Sequence, residues 1–143
     1  MRDPNYADVL IAVNALSRAR ERMQPSTPVA LAKRIIAGFE VVPVTALISD
    51  VLDDAIRNPD RRYVLSTPPR VGKSQLASVI APLFALMRDP DGSVLVKSYG
   101  DQLAEEHSGQ ARRLVAENKQ LLGFEVDSSK SAVDRWLVAG HRG

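Results

Sequence analysis

The sequence contains no cysteine, and its longest uninterrupted apolar runs, such as Val9 to Val13, are five residues long. The lack of cysteine excludes a disulfide framework and thiolate chemistry. With only two histidines available, a zinc site built from nitrogen and sulfur ligands is also excluded. A membrane-spanning helix needs about 20 apolar residues, and Met1–Asn5 does not begin a signal peptide. We therefore expect a soluble protein, with the cytoplasm as its default location.

The composition is that of a globular protein. Of 143 residues, 45% are apolar and 25% are charged, which gives neither a disorder signature nor a low-complexity tract. This length corresponds to one domain or to part of a larger one. The net charge of +2 permits contact with nucleic acid but does not by itself indicate it.

The most informative stretch runs from Arg62 to Met87. An apolar run at 63–65 predicts a strand, residues 66–72 form a loop, and a helical pattern starts at Lys73. A strand, a loop carrying G-K-S and a helix together are the setting of a phosphate-binding loop, or Walker A motif. Gly72 lets the backbone approach a phosphate, Lys73 can reach the β- and γ-phosphates, and the Ser74 hydroxyl can bind Mg²⁺.

The loop departs from the common G-x-x-x-x-G-K-S pattern, because Thr67 occupies the position of the first glycine. Pro68 and Pro69 have no N–H to donate, so we expect phosphate donors from Arg70 onward. A coincidental strand–turn–helix is the alternative reading. The candidate nucleotide-binding residues are Thr67, Arg70, Val71, Gly72, Lys73, Ser74 and Gln75.

The remaining periodicity predicts an α/β fold of the P-loop NTPase type, a parallel sheet with helical crossovers preceded by N-terminal helices. We expect a helical segment over 1–40 and the N-terminal part of an ATPase domain over 41–143. The predicted helices start near Pro4, at a Thr27 cap, at a Thr45 cap, at Lys73 and at Asp101, and the second is expected to end at Ala37, before Gly38. Apolar stripes are predicted for the third helix and for the helix after the loop, at Leu47, Ile48, Val51, Leu52 and Ile56 and at Leu76, Val79, Ile80, Leu83 and Met87. The predicted strands are 63–65, 94–96 and 136–138, with a polar loop at 128–131.

Other residues allow two readings. The arginines at 18, 20 and 22 fit a solvated helix end, with a nucleic-acid patch as the alternative. His107 is read as a partly buried structural residue before a catalytic base. Trp136 is read as a packing residue before a base-stacking platform. Pro82, inside the helix that follows the loop, should lose the hydrogen bond to the Ser78 carbonyl and kink the helix.

Residues 66–74, Ser-Thr-Pro-Pro-Arg-Val-Gly-Lys-Ser, resemble the P-P-R-x-G-K-S phosphate loop of the large terminase subunits of tailed bacteriophages. These are ATPases that pump DNA into the procapsid. The likeness continues through Pro82, residues 89–91, residues 97–99 and the helix from Asp101, and it spans about 27–143. Its most specific element is the double proline followed by arginine.

The resemblance implies that Lys73 and Ser74 hold the phosphates and Mg²⁺ of ATP. It also implies that Arg70 stabilises the γ-phosphate, which makes Lys73 and Arg70 the catalytic candidates. A guanidinium is a permanently charged fork that matches phosphoryl oxygens. A second possibility is that Arg70 ties the loop to a nearby carboxylate.

By resemblance, the partners are double-stranded DNA, the portal and the small terminase subunit. A homo-oligomeric ring in the host cytoplasm, without membrane contact, is implied as well. The acidic motif and nuclease domain of that family are expected beyond Gly143. We expect the chain to be the ATP-binding part of a packaging motor, which couples hydrolysis to DNA translocation when downstream sequence completes it, and to be hydrolytically inactive alone. Alternatives are a non-catalytic nucleotide-binding remnant or accessory module, or another P-loop NTPase such as a helicase.

Overall fold

The computed structural model describes residues 6–132 and 134–141, most of which are helical. Residues 73–88, named the loop helix here, form one continuous helical segment made of α4, a π-helical turn and α5. The elements in chain order are α1 (Tyr6–Met23), α2 (Pro28–Ile35), α3 (Pro43–Arg57), α4 (Lys73–Gln75), the π-turn (Leu76–Ile80), α5 (Ala81–Arg88), α6 (Asp101–Glu117), α7 (Lys119–Leu122), β1 (Val126–Ser131) and β2 (Trp136–Val138).

The predicted parallel sheet with helical crossovers is wrong. Within the described residues the sheet consists of β1 and β2, which pair antiparallel with Val126 opposite Val138 and Ser131 opposite Trp136. The strand predicted at 136–138 therefore exists, but in a hairpin. Its partner includes residues 128–131, which the sequence had indicated as a polar loop. Two strands separated by a short connection pair antiparallel, because a parallel pair needs a crossover of a dozen or more residues.

The other two predicted strands, 63–65 and 94–96, have no regular secondary structure. Val64 is 97% exposed and Leu95 is 84% exposed. In the part of the chain that the structure describes, neither segment has a backbone hydrogen bond to another segment. Apolar, β-branched sequence favours a strand, but a strand exists only where a neighbour accepts and donates its ladder bonds.

The start of α2 follows the prediction closely. The Ala30 N–H donates to Thr27 Oγ1 at 3.3 Å, and Pro28 occupies the first turn. The helix ends at Ile35, two residues before the predicted end at Ala37. Gly38 has a left-handed φ of 73°, as a residue that terminates a helix commonly has. The Val29 N–H donates to the buried Ser49 Oγ at 3.0 Å, which joins α2 to α3.

The core is organised around the loop helix. Its predicted apolar face is confirmed, since Leu76, Val79, Ile80 and Leu83 are 0% exposed and Met87 is 8% exposed. In α3 the predicted stripe is only partly confirmed, because Ile48 is buried while Leu47 is 63% exposed. The residues around the loop helix in this core come from α2, α3, α6, α7 and β2 and include Leu31, Ile48, Leu114, Val115, Leu122 and Val138.

The π-turn lies directly before Pro82. The Ala81 N–H bonds to the Leu76 carbonyl, five residues back, instead of following the α-helical pattern. Proline has no N–H, and its ring crowds the carbonyl four residues earlier, so a widened turn accommodates it. Pro82 is buried, as are most residues of α5. The loop helix therefore departs from regular α-helical hydrogen bonding one turn after Lys73 and Ser74.

Helix α1 differs from the others in its exposure. Leu16 and Met23 are each 70% exposed, and none of the side chains of α1 that the structure describes belongs to the core cluster. No helix among the described residues combines the length and apolarity that crossing a bilayer would require.

Candidate phosphate-binding loop

Gly72 sets the geometry at the start of the loop helix. It is the N-cap residue, with φ 79° and ψ 6°, and its carbonyl accepts the Leu76 N–H at 3.0 Å. This left-handed conformation favours glycine, because a Cβ would be strained there. No side chain caps this helix start. The first-turn N–H groups of the loop helix are therefore not taken up by a cap.

Arg70 is the other left-handed residue of the loop, with φ 64°. No other non-glycine residue in the described part of the chain has a positive φ. For a residue with a Cβ this conformation costs roughly 1–2 kcal/mol. Its side chain is exposed, whereas the neighbouring Val71 is partly buried and packs against the core. Val71 thus anchors the loop to the interior, and only its backbone is in a position to serve the predicted site.

An open cavity of about 550 Å³ lies along the loop. It is lined by every predicted site residue except Val71, together with Pro68 and Pro69. The lining residues lie close together because they are adjacent in the sequence. The structure adds the shape of the cavity. Arg70 and Lys73 are the two cations of the lining, and no carboxylate is part of it. This charge distribution suits an anionic ligand.

Thr67 Oγ1 is a buried hydroxyl oxygen that has no hydrogen-bond partner among the described residues. Thr67 belongs to the lining of the cavity. A buried polar atom without a partner costs free energy, and an anionic oxygen in the cavity would accept a hydrogen bond from this hydroxyl. The donor set of Thr67, Arg70, Lys73 and Ser74 therefore fits phosphate oxygens.

The cavity lining offers fewer ligands for Mg²⁺ than for phosphate oxygens. The lining offers hydroxyl oxygens from Thr67 and Ser74 but no carboxylate. Over residues 6–132 and 134–141, no group of three or more metal-ligating side chains is found. Mg²⁺ commonly keeps several waters and binds through substrate phosphates. Ser74 is the side chain that would hold a nucleotide-bound Mg²⁺ here.

Thr45 supports the loop from behind, a role that the sequence did not indicate. It was predicted to cap α3, but Val42 is the N-cap and Thr45 lies inside the first turn. Its buried hydroxyl accepts the Val42 N–H at 2.9 Å and donates to the Val42 carbonyl at 2.8 Å. A Cβ placed on Gly72 would lie 3.7 Å from Thr45 Cγ2. The start of α3 therefore packs against the start of the loop helix.

A polar network fixes the chain that leads into the loop. Asp54, near the end of α3, accepts hydrogen bonds from Tyr63 Oη, from Arg61 at 2.9 Å and from Asn58 at 2.8 Å. The bond from Tyr63, followed by the charge of Arg61, lowers the pKa of Asp54 below its ordinary value. Asp53 pairs with Arg57 at 2.7 Å. The carboxylates of Asp53 and Asp54 therefore bond to residues of α3 and of the segment after it, and neither residue lines the cavity.

A second open cavity, of about 420 Å³, lies beside the hairpin. Its lining includes the ion pair between Lys119 and Glu125, at 3.1 Å, and His141, which is 3.2 Å from Asp91. This lining mixes both signs of charge, and nothing in it points to a particular ligand. None of the residues that the sequence indicated as functional lies there.

No family model matches this sequence, and no curated protein or solved structure matches it either. The likeness to large terminase subunits consequently rests on the residues of the loop and of its flanking segments.

Proposed function

We propose that residues 67–75 bind the phosphate groups of a nucleoside triphosphate. One observation carries the proposal: a left-handed Gly72 starts a buried helix whose first residues are Lys73 and Ser74, beside a cavity with two cations and no carboxylate. Anions bind at helix starts because free N–H groups and the helix dipole both point toward them. The irregular segment before the loop does not supply the strand that the sequence predicted.

Each residue of the site has a distinct part in this proposal. Lys73 places a flexible ammonium group at the helix start, where it would contact the outer phosphates. Arg70 is exposed at the loop and would offer a planar fork to a terminal phosphate. Ser74 would be the protein ligand of a nucleotide-bound Mg²⁺, which would neutralise phosphate charge at the site.

The identity of the ligand as ATP, and its use in a phage DNA-packaging motor, are proposals from the resemblance of residues 66–74. DNA, the portal, the small terminase subunit, a homo-oligomeric ring and the host cytoplasm are proposed on the same ground. A second candidate is a nucleotide-binding module that does not hydrolyse its ligand. It is favoured by the cavity lining, which contains no carboxylate to hold the metal or orient water.

The binding proposal is tested with Lys73→Ala and a fluorescent ATP analogue in the presence of Mg²⁺. We expect at least a tenfold loss of affinity, with an unchanged circular dichroism spectrum because Lys73 does not belong to the core. Lys33→Ala, an exposed lysine of α2, is the matched control and should bind as the wild type does. Equal affinities of Lys73→Ala and wild type would contradict the proposal.

Phosphate release tests whether this chain hydrolyses its ligand. Phosphate release is compared between the wild type and Lys73→Ala. For this chain we expect binding without turnover above the Lys73→Ala background.

Arg70→Lys keeps a positive charge at the same backbone position, and Arg70→Ala removes it. If only Arg70→Ala weakens binding of a triphosphate relative to a diphosphate, the charge of Arg70 contacts the terminal phosphate.

A further inference from the structure

The lining of the cavity along the loop has a composition that suits a phosphate chain better than a nucleobase. Its side chains are two cations, two hydroxyl groups, one amide and two prolines. Among the residues that the structure describes, no aromatic side chain belongs to this lining. Sites that recognise a base commonly stack it against aromatic or large apolar side chains. The cavity therefore offers many contacts to an anionic chain and few to the face of a base.

Most of the described aromatic rings are packed elsewhere in the molecule. Phe84 and Phe124 are buried, and Phe39 packs against the core. Trp136 packs against the core as well, and its indole N–H donates to Ser108 Oγ at 3.2 Å. These four rings are held by their own contacts, so they do not serve as a stacking platform for a base in the cavity.

The two tyrosines whose side chains the structure describes also lie outside the lining. Tyr63 Oη donates to Asp54, which fixes the ring on the polar network of α3. Tyr99 is fully exposed and is not part of the cavity. Neither ring is in contact with the space where a ligand of the loop would lie.

The polar groups of the lining are concentrated where phosphates would bind. Lys73 and Ser74 begin the loop helix, Arg70 lies in the loop, and Thr67 Oγ1 is a buried oxygen without a partner among the described residues. Ammonium, guanidinium and hydroxyl groups all donate hydrogen bonds to phosphate oxygens. The amide of Gln75 follows Ser74 directly, in the same turn, and so lies among these groups.

We propose that this site recognises the polyphosphate chain of its ligand and not the base, an inference that rests on the nucleotide site proposed above. Its ligand class is then triphosphates, which includes nucleoside triphosphates of any base and inorganic tripolyphosphate. A site rejects an analogue strongly only when the analogue leaves polar groups of the site unpaired. ATP, GTP and tripolyphosphate present the same chain of phosphates, so each would pair the same donors of the loop.

Competition against the fluorescent ATP analogue tests the inference with the full chain, excess Mg²⁺ and constant ionic strength. GTP and sodium tripolyphosphate should each displace the analogue with a Kd within about tenfold of the Kd of ATP. Adenosine, which has the base but no phosphate, should not displace it. A larger difference for GTP or tripolyphosphate, or displacement by adenosine, would overturn the inference.

Lys73→Ala separates a failure of this inference from a failure of the site itself. The variant should bind ATP and tripolyphosphate about tenfold more weakly or worse, because Lys73 would contact phosphates that both ligands share. Equal binding of the analogue to the wild type and to Lys73→Ala would refute the nucleotide site. A wild type that binds ATP through Lys73 but does not bind tripolyphosphate would refute the inference alone.

Gln75→Ala tests the one side-chain amide of the lining. The Kd values of ATP, GTP and tripolyphosphate should change by the same factor, because Gln75 lies at the phosphate end of the site. A loss of affinity for ATP that tripolyphosphate does not share would assign Gln75 to the nucleoside and contradict recognition through the phosphates alone.

Discussion

The loop helix and α1 have similar lengths and similar apolar stripes, yet they differ completely in burial. The central stripe residues of the loop helix, such as Leu76 and Leu83, are 0% exposed, whereas Leu16 of α1 is 70% exposed. The loop helix is surrounded by elements on several sides, and α1 lies outside the core. A stripe of apolar residues therefore indicates that a helix can be buried. Whether the helix is buried depends on the elements that surround it.

The comparison also explains where the candidate site lies. Lys73 and Ser74 stand on the first turn of the most buried helix, backed by Thr45 from α3. A binding group is held more precisely by a packed element than by a free one.

The largest expected effect contrasts the two helices directly. Phe84→Ala removes a fully buried ring from the loop helix and should lower the free energy of unfolding by about 3–5 kcal/mol. Leu16→Ala in α1 should change it by no more than about 0.5 kcal/mol at dilute concentration. Urea unfolding measures both. Similar losses for the two variants would mean that α1 is packed as firmly as the loop helix.

The next effect concerns the start of the loop helix. Gly72→Ala should destabilise the fold by roughly 1–2 kcal/mol, because alanine must adopt the left-handed conformation. Its Cβ would meet Thr45 Cγ2 at an ordinary contact distance of 3.7 Å, so the loss comes from strain and not from a clash.

Gly109→Ala is the matched control for Gly72→Ala, since Gly109 lies within α6 and a Cβ there would meet nothing within 4 Å. It should stabilise the protein by about 0.5–1 kcal/mol. Both changes are measured by urea unfolding. Equal signs for the two substitutions would contradict the left-handed conformation at Gly72.

A smaller effect is expected at α2, which is short but packed, unlike α1. Thr27→Ala removes the hydroxyl that accepts the Ala30 N–H and should cost about 1 kcal/mol. Thr27→Ser retains the acceptor and should lose much less. Thermal unfolding followed by circular dichroism at 222 nm compares the two. A loss of the same size for serine would assign the effect to the methyl group instead of the cap.

The smallest effect lies on the exposed network at the end of α3. Because the pKa of Asp54 is lowered in the folded state, its contribution to stability is present above the ordinary value of 3.8 and is lost as the pH falls through the lowered value. Asp54→Asn should therefore have a slightly lower Tm than the wild type at neutral pH. The difference should shrink in acid.

The effect of Asp54→Asn should be small because the network is exposed to solvent. Asp50, which is exposed on the same helix and has no hydrogen bond among the described contacts, is the control. Asp50→Asn should leave the Tm at neutral pH unchanged, because it removes a carboxylate that makes no such bonds. A difference for Asp54→Asn that persists unchanged at acidic pH would contradict the lowered pKa.

The helical part of the fold could be predicted because its determinants are local. Thr27 and Pro28 marked the start of α2, and the spacing from Leu76 to Met87 marked the buried face of the loop helix. The loop residues from Thr67 to Gln75 could be chosen in advance as well, since a G-K-S sequence before a helical pattern is a local signal. Their function remains a prediction that the proposed binding experiments test.

The sequence by itself determined most of the helices, the Thr27 cap and the composition of the candidate loop, because helical hydrogen bonds join residues four positions apart. Only the tertiary structure decided that 63–65 and 94–96 are not strands and that 126–131 pairs with 136–138. It also decided that Thr45 backs Gly72 and that α1 lies exposed. Strand pairing and burial depend on partners distant in sequence, and no local pattern specifies which partner is present.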